Sequence, residues 1–113
     1  MLRDMSKEFA KKTVFLCRQM KIEHKEGALV GQLLRCATSI GANIYEAQYA
    51  QSKKDFISKL EIAQKECYET EYWLEIMQKA ELLSEETNKG YLHDCGAIRR
   101  MLIASINTAK EKN

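Results

Sequence analysis

Apolar residues return every three or four positions along almost the whole chain, the period of an α-helix rather than of a strand. In the first stretch, from about Asp4 to Met20, Leu2, Met5, Phe9, Leu16 and Met20 carry the repeat, with Thr13 on the missing rung. A polar run from Lys21 to Glu26 connects it to Gly27. The second stretch, about Gly27 to Ala50, sets Val30, Leu33, Ala37, Ile40, Ile44 and Ala47 on one face. Ser52, with Asp55 three residues later, then has the pattern of an N-cap for a third helix. There Phe56, Leu60, Ala63, Cys67, Thr70, Leu74 and Met77 step by 4, 3, 4, 3, 4 and 3, a strict heptad seam. The seam ends near Ala80. Ser84, followed by Glu85 and Glu86, reads as a cap and an acidic first turn. Tyr91, Cys95, Ile98, Leu102, Ile106 and Ala109 form the apolar face of a fourth helix, whose early turns Gly90 and Gly96 weaken. Four helices with short connections predict an all-α, antiparallel, up-down-up-down four-helix bundle, one domain spanning residues 1–113.

Composition supports that picture. Of 113 residues, 45% are hydrophobic and 30% charged, an ordinary globular balance, while proline is absent and glycine occurs five times. Sandwiches and barrels need those residues at their turns, so they are excluded. Cys17, Cys36, Cys67 and Cys95 contain no CxxC pair and fall in apolar-periodic segments, which predicts buried free thiols in a reducing compartment. The N-terminus lacks the apolar core of a secretory signal, and no stretch approaches the roughly 20 apolar residues of a membrane span. A soluble, cytoplasmic protein with no membrane association is the expectation.

The second helix departs from a plain bundle. Between Gly27 and Ser52 the only charged residues are Arg35 and Glu46. Opposite the apolar stripe lies a polar row of Gln32, Arg35, Ser39, Asn43 and Glu46, flanked by small residues. Either the row is satisfied by its own neighbours, or part of it is buried between subunits. Glu66 and Glu69 stand beside the heptad seam of the third helix and need a partner if they approach the core. Arg35 is the only arginine between Arg18 and Arg99, so a buried Arg35–Glu66 or Arg35–Glu69 pair is expected. Arg35, Ser39, Asn43, Glu46, Glu66 and Glu69 thus form a candidate structural polar network. Neither His24 nor His93 follows a glutamate by three residues, the spacing of di-iron bundles, so no metal and no other cofactor is expected. Tyr72 and Trp73 lie beyond the third helix's own seam, which makes them candidate subunit contacts in a homo-oligomer.

Charge is polarised although the net value is only +2. Residues 1–26 hold seven basic and four acidic side chains, whereas residues 53–81 hold five and seven. On the first helix Arg3, Lys7, Lys11, Arg18 and Lys21 make one stripe about 80° wide, opposite Phe9 and Leu16. Such a stripe is either a solvated face or a surface that tracks phosphates, the latter strengthened by repetition in an oligomer. No Gly-rich phosphate loop or nucleophile elbow is present. Arg18 and His24 have the spacing of an Arg-x(4–6)-His pair found in some helical ribonucleases, a weak two-residue pattern.

A more specific signal sits in the second and third helices. Gln32-Leu33-Leu34-Arg35, Ala37-Thr38-Ser39-Ile40-Gly41-Ala42-Asn43-Ile44 and Glu46-Ala47 resemble the proteins encoded in 23S ribosomal RNA intervening sequences, also labelled "S23 ribosomal protein". So do Phe56-Ile57, Lys59-Leu60, Ile62-Ala63, Lys65-Glu66, Glu69-Thr70 and Tyr72-Trp73-Leu74. The resemblance covers roughly residues 9–83. It implies a four-helix bundle that assembles as a homopentamer, akin to the accessory variability protein of diversity-generating retroelements, which binds nucleic acid and a reverse transcriptase. Tyr45 stands where that pattern has a small residue, Cys36 where it has serine or alanine, and Ala47 where it has glycine. The aromatic-Pro step before the second helix is missing.

Together these features predict a non-enzymatic oligomeric bundle that binds RNA or DNA through the basic stripe, with a protein partner as a further expectation. One rival reading is a pure assembly or scaffold protein. The other is a helical ribonuclease that uses Arg18 and His24.

Overall fold

Helix formation follows the apolar period closely. The computed structural model, which describes residues 1–23 and 25–112, contains α1 (Leu2–Ile22), α2 (Gly27–Ala47), α3 (Lys53–Lys79) and α4 (Glu85–Glu111). Each helix packs on its chain neighbours and α1 also packs on α4, while the diagonal pairs stay apart among the described residues. That is the up-down-up-down bundle, 50 Å long and about 20 Å across.

The two serine caps form as their spacing predicts. Ser52 Oγ accepts the Asp55 amide at 3.0 Å, and Ser84 Oγ accepts the Thr87 amide at 3.1 Å. The second helix stops three residues short of the sequence reading. Amides of Gln48, Tyr49 and Ala50 bond back three residues to Tyr45, Glu46 and Ala47, which tightens the chain into turns before Ser52. After α3, Glu81 adopts φ 63°. Its amide reaches the Gln78 carbonyl and the Leu82 amide reaches that of Met77, closing a Schellman motif without glycine. At the same end Lys25 Nζ donates to the Leu82 carbonyl at 2.7 Å and ties the two loops together.

Two apolar clusters stack along the bundle. One joins Phe9, Ile40, Ile44, Leu60, Ile98, Leu102 and Ile106, and the other Met20, Val30, Leu33, Leu74, Met77 and Leu83. Tyr91 packs against both. Each fully buried Leu or Ile side chain contributes roughly 1.5–3 kcal/mol by leaving water. Thr13 and Thr70 are also fully buried, and their hydroxyls donate to the Phe9 and Glu66 carbonyls one turn back, at 2.9 and 2.8 Å. A hydroxyl satisfied within its own helix can occupy an apolar seam at little cost. The heptad positions from Leu60 to Met77 are all buried, while Phe56 at the exposed end is half-buried. All four cysteines are buried and free. Burial pushes the Cys17 thiol up to about 11, so it remains protonated and unreactive at neutral pH.

Candidate functional site

The basic stripe of α1 begins at its contact with α2. Ser6 is buried there, its hydroxyl donating to the Arg3 carbonyl at 3.1 Å, and it faces Gly41. A β-carbon on Gly41 would stand 3.4 Å from the Ser6 carbonyl oxygen, so small residues on both sides set the helices close together. The close approach leaves a shallow groove of about 320 Å³, with Lys7 on one wall and Tyr45 on the other.

All five predicted stripe residues are exposed. Their surroundings differ. Lys7 Nζ lies 5.4 Å and the Arg3 guanidinium 5.9 Å from the centroid of the Tyr45 ring, within cation–π range. Tyr45 in turn meets Tyr49 at a centroid distance of 5.4 Å and a tilt of 51°. Among the described residues neither Arg3 nor Lys7 has a carboxylate within 4.0 Å. Lys11 pairs with Glu8 at 2.9 Å, and Arg18 lies over the exposed ring of Phe15 at 5.6 Å. Lys21 is exposed in the last turn of α1. Tyr45 lies on α2, so its place beside Arg3 and Lys7 comes from the packing of two helices and not from the period of either one. The one signal was that Tyr45 is out of pattern for the family it resembles.

The polar row of α2 resolves into separate pieces. Arg35 Nη1 donates to Glu66 Oε2 at 3.4 Å and its Nη2 to Glu69, whose Oε2 also accepts the Trp73 indole N–H at 3.1 Å. The pairing matches expectation but the burial does not. Half of the Arg35 side chain reaches solvent in the single chain, because the contact lies on the outer edge of the α2–α3 packing. Arg35 and Trp73 hold the Glu69 carboxyl below the usual carboxylate range, whereas burial pushes Glu66 up despite Arg35. Ser39 Oγ donates to the Arg35 carbonyl at 2.7 Å and Asn43 Nδ2 to the Ser39 carbonyl at 2.9 Å, so these two are satisfied by α2 itself. Glu46 pairs with Lys59 at 3.0 Å, a partner the sequence reading did not find. Tyr72 is 55% exposed and packs edge-on against the half-buried Trp73.

Other chemistry is sparse. No group of three or more His, Cys, Asp or Glu side chains gathers among the described residues. His24, the partner of Arg18 in the ribonuclease reading, lies outside the described residues. Among the described residues no helix is long and apolar enough to cross a membrane.

Comparison with known proteins now places the chain. The family model of the 23S rRNA-intervening sequence protein matches residues 2–104. A search of curated proteins finds no significant match. Among solved structures, a protein of unknown function from the S23 ribosomal protein family of Bacteroides thetaiotaomicron VPI-5482 is 45% identical. The match covers 94% of this chain and 98% of that one, with a TM-score of 0.92. The chain belongs to the 23S rRNA-intervening sequence protein family.

Proposed function

We propose that this protein is a non-enzymatic, oligomeric four-helix bundle that binds RNA or DNA through the basic stripe of α1, as an accessory to a nucleic-acid enzyme. The observation that carries the reading is the stripe itself. Arg3, Lys7, Lys11, Arg18 and Lys21 are exposed, off the core side of α1, and among the described residues only Lys11 has a carboxylate partner, Glu8. Assembly as a homopentamer fits the exposed apolar residues on α3, where Ile62, Tyr68 and Tyr72 are each at least 41% exposed. Five subunits on a closed ring would present the stripe repeatedly to one strand and raise avidity about 10²–10⁴-fold.

The test is a titration of mixed-sequence RNA with the native protein and with Lys7→Glu/Lys11→Glu/Arg18→Glu, at matched oligomer mass. The expected result is salt-sensitive binding without marked sequence preference, abolished in the variant. Equal affinity in both would reduce the stripe to a solvated face and leave an assembly protein.

A further inference from the structure

We infer that the groove between α1 and α2, together with Arg3 and Tyr49 beside its Tyr45 wall, is a subsite for single-stranded nucleic acid, in which Tyr45 and Tyr49 stack on bases and Arg3 and Lys7 hold the adjoining phosphates. This inference rests on the nucleic-acid reading above and specifies the form of ligand that the site takes.

Stacking on an unpaired base needs aromatic surface open to solvent, cations within one nucleotide's reach, and no unpaired carboxylate to repel the phosphate. The groove supplies all three. Tyr45 is 43% and Tyr49 68% exposed, although a tyrosine without a partner would gain by burying its ring. Their 51° tilt gives each ring its own face, so the pair can take two bases rather than one. Lys7 and Arg3 stand 5.4 and 5.9 Å from the Tyr45 centroid. The one carboxylate on the groove wall, Glu46, is neutralised by Lys59 at 3.0 Å. A duplex hides its base faces, so it could use the cations of this groove but not the rings. The preference for single strands therefore resides in the tyrosines and the salt dependence in the cations.

The experiment measures binding of the full chain to a 12-nucleotide single-stranded RNA, the single-stranded DNA of the same sequence, and the matching RNA duplex. Native protein, Tyr45→Ala/Tyr49→Ala and Tyr45→Phe/Tyr49→Phe are compared, each with its solution mass. Native protein is expected to favour the single strands over the duplex. The alanine variant should lose about tenfold or more of its single-strand affinity. Its salt slope and mass should stay unchanged, and the phenylalanine variant should recover most of the affinity. RNA and DNA are expected to respond alike, because stacking does not involve the 2′-hydroxyl. An undiminished single-strand affinity in the alanine variant would overturn the subsite while leaving the broader function intact. A changed mass in that variant would overturn it too, assigning the tyrosines to a subunit contact. Absence of binding to any strand by native protein would overturn the subsite and the function together.

Discussion

The two grooves that flank α1 use similar parts to opposite ends. Against α4, Lys12 Nζ lies 5.2 Å from the centroid of Tyr91, much as Lys7 lies 5.4 Å from that of Tyr45 against α2. On the α4 side, however, Asp94 binds Lys12 at 2.5 Å, and the Tyr91 hydroxyl donates to the Lys12 carbonyl at 2.9 Å. The same ring meets Phe9 edge-on at 6.0 Å and packs into both core clusters. That groove is closed chemistry, because its cation, its ring and its hydroxyl are all spent on the fold. On the α2 side Arg3 and Lys7 have no carboxylate partner among the described residues, and the rings of Tyr45 and Tyr49 are exposed. A lysine over a tyrosine therefore does not mark a binding site. What distinguishes the two grooves is that Asp94 pairs with Lys12 in one, whereas the acid on the wall of the other, Glu46, pairs with Lys59 of α3 rather than with Arg3 or Lys7.

The sharpest way to break the contrast is truncation of one aromatic from each groove. Phe9, 2% exposed, should cost about 3–5 kcal/mol as Phe9→Ala, while Tyr45→Ala should shift stability by no more than about 0.5 kcal/mol. Denaturant unfolding at equal concentration measures both. Similar losses would mean that Tyr45 is a structural residue.

Asp94→Asn comes next. Lys12 and Asp94 are 41% and 39% exposed, so breaking their bond should cost only about 0.2–1 kcal/mol, less in high salt. The hydrogen bond to Asp94 raises the Lys12 pKa. A raised ammonium pKa stabilises the fold below its unfolded value, and that contribution is lost as pH rises through the folded one. The difference between native protein and Asp94→Asn should therefore be flat near neutrality and vanish in strongly alkaline solution. A difference that grew with alkalinity would contradict the pairing.

Gly96→Ala should have the smallest effect. Gly96 lies within α4, and an added β-carbon would meet the far end of the flexible Arg100 side chain at 3.1 Å and Arg99 Nη2 at an ordinary 3.8 Å. Gain of helix propensity should outweigh that contact and raise stability by roughly 0.5 kcal/mol, with RNA affinity unaltered. Thermal unfolding reads the first and a filter-binding titration the second.

The fold was largely legible because its signals are local. The α3 heptad, the Ser52 and Ser84 caps and the burial of Thr13 and Thr70 all depend on spacing within one helix. Three things were not legible. The α3 C-terminus closes through Glu81 at positive φ, where the usual glycine is lacking. Asn88 is buried beside α3, its amide donating to Gln78 at 2.6 Å, although nothing in its own helix requires a polar residue inside. Arg35 found its predicted acids, but its exposure depends on how far α2 and α3 diverge at the surface. Of the candidate site, the stripe on α1 was visible as a charge period. Its neighbours Tyr45 and Tyr49 were not, because they belong to α2 and the turn after it, which only tertiary packing brings alongside α1.

The most direct test of the difference between the grooves compares Lys7→Gln with Lys12→Gln in a salt titration of single-stranded RNA binding. Each variant removes one cation that lies over a tyrosine, and only the first removes one without a carboxylate partner among the described residues. Lys7→Gln should weaken binding and flatten the dependence of log affinity on log salt by at least about 0.7, one phosphate contact on a single strand. Lys12→Gln should leave both unchanged. Equal flattening by the two variants would show that the carboxylate beside Lys12 does not decide which groove binds, and would contradict the account.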